Sequence, residues 1–133
     1  MILGIGIDIV DIKRIEKLYA KFGEKLPKKI LSMSELEEFS QLKNNKEEVV
    51  FLAKKFSLKE AISKAIGCGL NYSGLHTAEI STSHDKLGRP VVLKTQKLVE
   101  TIKNHHQVED WNIHISSSDD GGIIASNAVL EMV

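Results

Sequence analysis

The feature that most constrains the fold is a long helical pattern at residues 46–66. One narrow apolar stripe runs through Val49, Ala53 and Phe56, and Glu60 takes the next position on that stripe. The opposite side of the helix is also apolar, with Leu58, Ala61, Ile62, Ala65 and Ile66. Because a helix with two apolar faces must lie between other elements, the sequence predicts a central helix that carries a half-buried carboxylate. Such a carboxylate needs a partner, and Lys64 at i+4, a metal ion and a proton are the candidates.

A strand with one bare face is predicted at residues 2–10, where the side chains alternate. One face carries three isoleucines, whereas the other begins with Gly4 and Gly6 and continues with Asp8. Two glycines in a row on one face would let another backbone or a ligand come close to the Asp8 carboxylate. Taken alone, this aspartate fits a turn at the strand end as well as it fits a ligand.

The remaining pattern is typical of a single α+β domain over residues 1–133, with helices on one side of a largely antiparallel sheet. Asp11 can cap a helix that ends at Gly23, and a capping box at Ser34 can open the next helix. Further elements are predicted as a helix at residues 95–105 and strands at residues 78–83, 90–93, 111–116 and 123–130.

Composition argues against several classes of protein. Lysine and arginine together number 18, as do aspartate and glutamate, so no overall basic field favours nucleic acid. No apolar run approaches the roughly 20 residues of a membrane span. Cys68 is the lone cysteine, which rules out an internal disulfide and favours a reducing, cytoplasmic location.

Asp8 and Glu60 each interrupt an apolar pattern on a rigid element, so each carboxylate should be neutralised. Magnesium would do this, because it accepts one or two protein carboxylates and completes its octahedron with waters and phosphate oxygens. Lys59 and Lys64 on the same helix suit phosphate groups beside such a metal. The alternative is an ordinary Glu60–Lys64 helix pair with Asp8 in a turn. No histidine has zinc-site spacing, and the serines at 116–118 lack a nucleophile elbow but could donate to phosphate.

Two longer motifs resemble a known family. Residues 4–11 read GIGIDIVD and are followed by KRI at 13–15, and residues 51–65 read FLAKKFSLKEAISKA. Shorter matches are ILS at 30–32, GCG at 67–69 and GRP at 88–90. Together they are similar to the holo-(acyl-carrier-protein) synthase family, which implies the 4'-phosphopantetheinyl transferase fold with a long central helix.

The resemblance implies transfer of the 4'-phosphopantetheine arm of coenzyme A to a serine of acyl carrier protein, in support of fatty acid biosynthesis. Asp8 and Glu60 would hold Mg²⁺ against the coenzyme A pyrophosphate. Glu60, directly or through a water on the metal, is the candidate for removing the serine proton. Contacts to coenzyme A are assigned to Lys59, Lys64, Gly67 and Ser117.

Partners also follow from the resemblance. Acyl carrier proteins are acidic, so the basic segment that begins at Lys13 is expected to dock them. Without the resemblance, the segment could attract an acidic partner, but a solvated helix face is the favoured interpretation. Its members are Arg14 first, then Lys13, Lys17, Lys21 and Lys25. Members of the family form homotrimers with active sites between protomers. Two alternatives stay open: a magnesium-dependent nucleotide phosphohydrolase, which needs no carrier, and a noncatalytic adaptor, which binds an acidic protein without consuming coenzyme A.

Overall fold

The computed structural model describes residues 1–70 and 75–133. Its elements are, in chain order, β1 (Ile2–Asp11), α1 (Ile12–Phe22), α2 (Lys25–Ile30), α3 (Met33–Ser40), α4 (Asn45–Ile66), a 3-10 turn (Thr77–Glu79), β2 (Ser81–His84), β3 (Pro90–Leu93), α5 (Gln96–His106), β4 (Trp111–Asp120) and β5 (Ile123–Met132). The sheet has the order β1-β5-β4-β3-β2, and neighbouring strands are antiparallel. The predicted α+β fold, with an antiparallel sheet and a long helix, is therefore confirmed.

The long helix α4 lies directly on β1 because two strand residues have no side chain. A Cβ atom at Gly6 would overlap the carbonyl oxygen of Ala61, and one at Gly4 would overlap that of Ala65. The predicted close approach of another backbone to this strand is thus confirmed, and the backbone is that of α4. The contact fixes the helix against the strand along about one helical turn, from Ala61 to Ala65.

Two clusters of buried apolar side chains lie along α4. The first cluster, toward the N-terminal end of α4, includes Val10, Leu52, Ala53 and Ile124. The second cluster, toward the C-terminal end, includes Ala61, Ile62, Ala65 and Ala128. Helix and sheet are therefore joined by apolar packing at both ends of the contact, with β1, β5 and α4 contributing to each side.

The other face of the sheet is open. Ile5, Ile7 and Ile9 of β1 are between 63% and 66% exposed, and Ala125 and Val129, on the same face of β5, are half-buried. An apolar row of this kind on an open sheet face is typical of an interaction surface. We call Ile5, Ile7 and Ile9 the isoleucine row.

Some local details differ from the sequence predictions. α2 was not expected, and α3 is capped by Ser32 rather than Ser34: the Ser32 hydroxyl accepts from the Glu35 amide, and Glu35 accepts from the Ser32 amide. The strand predicted from residue 78 begins only at Ser81, because a 3-10 turn precedes it. β4 continues to Asp120, since Gly121 and Gly122, both with positive φ, close the hairpin within two residues.

No helix among the described residues combines the length and apolar character that crossing a bilayer requires.

Candidate active site

Asp8 and Glu60 interact where α4 crosses β1. Burial raises the pKa of Glu60 above its ordinary value, and the nearby Asp8 carboxylate raises it further. The charges of Lys64 and Arg14 act in the opposite direction. Glu60 is half-buried, as the helical pattern predicts. The two acids that the sequence singles out are thus brought together by the fold.

Lys64 pairs with Asp8 instead of Glu60. Its ammonium donates to the carbonyl oxygen of Ile7 at 2.9 Å and to Oδ1 of Asp8 at 3.2 Å. Within the described part of the chain, Glu60 forms no salt bridge, so the i+4 pair considered above is absent. The carboxylates of Asp8 and Glu60 therefore both interact with the positive charge of Lys64.

The donor set at this place fits a hard divalent cation. Oδ2 of Asp8 is buried and has no hydrogen-bond partner among the described residues, and Glu60 ionises less readily than an ordinary glutamate. A cation between the two carboxylates would give Oδ2 of Asp8 a partner and would stabilise the ionised form of Glu60. Across residues 1–70 and 75–133, no group of three or more histidine, cysteine, aspartate or glutamate side chains could hold a metal. Two carboxylates are oxygen ligands of the kind that magnesium accepts, with waters and phosphate oxygens completing its coordination.

A cleft of about 320 Å³ opens beside Glu60, between α1, α2 and α4. Its walls are mainly apolar, and cations stand among them: Arg14, Lys25 and Lys29. The Arg14 guanidinium carbon lies 6.0 Å from the centre of the Phe56 ring. An apolar cleft that includes a carboxylate and several cations suits a ligand with an aliphatic body and an anionic end. We call it the Glu60 cleft.

The predicted docking residues form one basic surface. Lys13, Arg14, Lys17 and Lys21 of α1 and Lys25 of α2 are all exposed, and the four on α1 line a shallow groove. Arg14 lines both this groove and the Glu60 cleft. The basic surface is therefore continuous with the mouth of the cleft.

Ser117 lies in a different cleft, of about 390 Å³, formed by α3, α4, the β2–β3 hairpin and β4. Lys54, Lys55 and the ring of Phe51 line the same space, which we call the Ser117 cleft. In the sheet Ser117 is two strands from Asp8, roughly 10 Å away at ordinary strand spacing. Within one chain, Ser117 is thus not part of the Glu60 cleft.

Lys59 faces neither cleft. Its side chain is fully buried, and its ammonium donates to the carbonyl oxygen of Ile30 at 2.6 Å and to Oε1 of Glu35 at 2.5 Å. Burial lowers the pKa of Lys59 to about 8, against the opposing effect of Glu35. An enclosed ammonium that is already paired cannot reach a phosphate from the clefts, so the geometry does not support the predicted contact between Lys59 and coenzyme A.

Glu35 is a buried residue that sequence reasoning missed. Oε2 accepts from the Thr82 amide at 3.0 Å and its hydroxyl at 2.7 Å, while Oε1 accepts from the Ser32 amide at 2.8 Å. Burial alone would raise the pKa of Glu35, but Lys59 and these hydrogen bonds hold the pKa below its usual value. A capping glutamate ordinarily lies at an exposed helix start, so the sequence carries no signal of this network. It ties α3 and β2 to α4 one residue before Glu60.

Gly67 ends α4 in the left-handed conformation that the sequence predicts, with φ of 87°. Its amide donates to the carbonyl oxygens of Ser63 and Lys64 at 3.0 and 3.1 Å. Because the cap uses this amide, the geometry gives Gly67 a role in ending the helix and no free donor for a phosphate.

Comparisons with known proteins point to relatives of one kind. The sequence model of the 4'-phosphopantetheinyl transferase superfamily matches residues 4–116. A holo-(acyl-carrier-protein) synthase from Vibrio cholerae serotype O1 is 41% identical over 131 residues, which cover 98% of each chain.

Two solved structures extend this agreement to the fold. The holo-(acyl-carrier-protein) synthase of Neisseria meningitidis has a TM-score of 0.84 and 34% identity, with 98% of this chain and 99% of that chain covered. The enzyme of Bacillus anthracis, solved in complex with CoA (3',5'-ADP), has a TM-score of 0.78 and 31% identity, with 100% and 99% covered.

Proposed function

This chain belongs to the 4'-phosphopantetheinyl transferase superfamily, and we propose that it is a single-domain enzyme that converts apo-acyl carrier protein to its holo form. The reaction joins the 4'-phosphopantetheine group of coenzyme A to a serine hydroxyl of the carrier and releases adenosine 3',5'-bisphosphate. The observation that carries the proposal is the Asp8–Glu60 pair beside a cleft that contains Arg14 and Lys25. The relatives named above, one of them solved with CoA, support the choice of substrate.

Asp8 and Glu60 would hold Mg²⁺ as the cofactor. The unpaired Oδ2 of Asp8 and the raised pKa of Glu60 support this assignment, because both are relieved by a cation. When bound, the ion would neutralise charge on the pyrophosphate and on the leaving oxygen.

Glu60 is the proposed general base. Its place beside the cleft brings the carboxylate near an incoming hydroxyl, and the carboxylate oxygen that does not hold the cation can accept the proton. Glu60 takes the proton of the carrier serine while the serine oxygen bonds to the β-phosphorus. The bond from that phosphorus to the bridging oxygen breaks, and the electron pair leaves with adenosine 3',5'-bisphosphate.

The phosphates are assigned to Lys64 rather than Lys59. Lys64 has 52% of its side chain exposed and lies beside Asp8, whereas Lys59 is enclosed. The nucleotide end of coenzyme A is assigned to the Ser117 cleft, where the half-buried Lys54 supplies positive charge and Phe51 an aromatic ring. Lys55 is buried and donates to Thr82, so it is not assigned a phosphate.

The basic surface is the proposed docking site for the acidic carrier. Because Arg14 belongs to both the surface and the Glu60 cleft, a carrier bound there would present its serine at the cleft mouth. We expect the KM for the carrier to rise more steeply with salt than that for coenzyme A, because the cations of the basic surface are all exposed.

A homotrimer with active sites between protomers completes the proposal. The isoleucine row supports it, because this open apolar face needs a cover, and the rows of two further copies arranged about a three-fold axis can supply one. In such an assembly the Glu60 cleft of one protomer and the Ser117 cleft of its neighbour would form one site. A cytoplasmic location and a role in fatty acid biosynthesis accord with this activity.

The direct test incubates the purified protein with apo carrier, coenzyme A and Mg²⁺. Mass spectrometry should show a carrier heavier by one phosphopantetheine group. Removal of the cation by a chelator, or the double substitution Asp8→Ala/Glu60→Ala, should abolish the product. Consumption of coenzyme A at the same rate without carrier would identify a phosphohydrolase instead, and carrier binding without consumption would identify an adaptor.

A further inference from the structure

Ser126 stands directly across from Asp8 in the sheet. The β1–β5 register pairs the two residues, and residues paired in an antiparallel sheet point to the same face with Cβ atoms roughly 5 Å apart. Here that face is the one that α4 covers. Ser126 is only 2% exposed, and its hydroxyl has no hydrogen-bond partner in the described residues. An unpaired hydroxyl therefore adjoins the unpaired Oδ2 of Asp8.

Ser57 brings a second hydroxyl to the same place from α4. The helix runs antiparallel to β1, with Ala65 against Gly4 and Ala61 against Gly6. One more helical turn, about 5 Å, leads back to Ser57, and two more strand residues, about 7 Å, lead to Asp8. Ser57 is fully buried, and its hydroxyl also lacks a partner within residues 1–70 and 75–133.

The same placement follows from the two apolar clusters. On β5, Ser126 lies between Ile124 of the first cluster and Ala128 of the second. On α4, Ser57 lies between Ala53 and Ala61, which belong to the same two clusters. Asp8, Ser57 and Ser126 thus form a polar seam between the clusters.

The seam contains three unpaired atoms: Oδ2 of Asp8 and the hydroxyl oxygens of Ser57 and Ser126. Among the described residues these are the buried side-chain oxygens and nitrogens without a partner. These three oxygens form no direct hydrogen bonds with one another. A buried water molecule commonly joins neighbouring polar groups of this kind. A water there would accept one hydrogen bond from each hydroxyl and donate one to Oδ2.

We propose that Ser57 and Ser126 are positioning residues that hold Oδ2 of Asp8 through one shared buried water. The water would occupy one lone pair of Oδ2, while Oδ1 accepts from Lys64, so the carboxylate keeps the orientation in which the remaining lone pair of Oδ2 meets the cation. Hydrogen-bonded partners of this kind orient a metal-binding carboxylate and raise its affinity for the ion. The effect on the cation rests on the proposed function, whereas the bridge between the hydroxyls and Asp8 does not.

The bridge is tested by thermal unfolding of Ser57→Ala and Ser126→Ala without metal. If the hydroxyls hold Asp8, each substitution lowers the midpoint, and the loss disappears in an Asp8→Ala background because nothing remains to be held. If the hydroxyls are unbonded, alanine raises the midpoint or leaves it unchanged in both backgrounds, and the proposal is wrong. Thr101→Val serves as the control, because the Thr101 hydroxyl donates to Lys97 in α5 and its removal should have the same effect in both backgrounds.

The positioning role is tested with Mn²⁺ alone, whose binding can be followed by electron paramagnetic resonance. We expect the double variant Ser57→Ala/Ser126→Ala to bind Mn²⁺ on the order of tenfold more weakly, and Thr101→Val to bind it as the wild type does. Unchanged Mn²⁺ affinity in the double variant would overturn the positioning role even if the unfolding experiment shows coupling. Failure of the proposed function would appear separately, as absence of holo carrier with both results above intact.

Discussion

At the scale of single residues, Glu60 carries a charge where the fold disfavours one. Because its pKa is raised, the folded protein binds this proton more tightly than the unfolded chain does. The contribution to stability is fully present below the ordinary glutamate pKa of 4.5 and is lost as the pH rises through the raised value. Near neutral pH, without a cation, Glu60 therefore destabilises the protein that needs it.

This reasoning predicts that Glu60→Gln, which cannot ionise, unfolds at a higher temperature than the wild type at about pH 7.5 and loses that advantage at about pH 4. Calorimetry with a chelator present measures both midpoints. An equal gain at the two pH values would mean that the charge is not the cause. Mg²⁺ should raise the midpoint of the wild type but not that of the variant.

Substitution of Lys59, in contrast to that of Glu60, is expected to lower the stability of the protein. Lys59→Met removes the buried partner of Glu35 and should cost about 3–5 kcal/mol in urea unfolding. Adding Glu35→Gln should recover part of the loss, because the buried carboxylate that lost Lys59 is then neutral, while Lys55, the second lysine near Glu35, keeps its hydrogen bond to Thr82. The control is Lys54→Met, a half-buried lysine on the same helix, which should change stability by less than about 0.5 kcal/mol. A similar loss for both lysines would argue against the buried pair.

The two acids could be predicted from sequence, but the partner of Lys59 could not. Asp8 and Glu60 each break a periodic pattern, and such a break is visible within a few residues. The sequence around Lys59 does not show whether its ammonium is buried or exposed, because a long side chain can lie on an apolar face and still reach water. Glu35, which neutralises it, is 24 residues away and is brought to it by tertiary packing alone.

At the scale of elements, the contact between β1 and α4 sets the distance between the acids. Gly6→Ala places a methyl group on the Ala61 carbonyl, so strand and helix must separate, at a cost of about 3 kcal/mol. Urea unfolding measures the loss, and carrier modification should fall further because Asp8 moves relative to Glu60. The control is Leu87→Val at an 80% exposed position in the β2–β3 turn, away from both the contact and the isoleucine row, with an expected change below about 0.5 kcal/mol. Equal stability of Gly6→Ala and wild type would contradict the contact.

Elements with strong local signals were predicted well. The Asp11 cap and the final Gly23 bound α1 as expected, and Gly67 ends α4 as expected. The helix α2, in contrast, was not predicted, because its formation depends on tertiary contacts. It is only six residues long, and it buries Leu26 and Ile30 against neighbouring elements. So short a helix depends on packing for its stability, and packing is not visible in the local pattern.

At the scale of the whole molecule, the isoleucine row determines the expected assembly. Ile7→Lys places a charge in this face, and we expect it to dissociate the proposed trimer and abolish activity at sites shared between protomers. Sedimentation velocity measures the assembly. Leu87→Lys, at an 80% exposed position in the β2–β3 turn, is the matched control and should stay assembled. An unchanged sedimentation coefficient for Ile7→Lys would exclude this face as the interface.

The strand order has a consequence for how the enzyme is made. β1 pairs only with β5 in the sheet, and the residue opposite Asp8 is Ser126, which the ribosome adds only after α5 and β4. Until β5 emerges, a nascent chain therefore carries an unpaired strand with exposed isoleucines, a state prone to misassociation. Asp8 is synthesised more than a hundred residues before Ser126, and it acquires this neighbour only when β5 forms. A chain that stops before β5 should therefore have no working site.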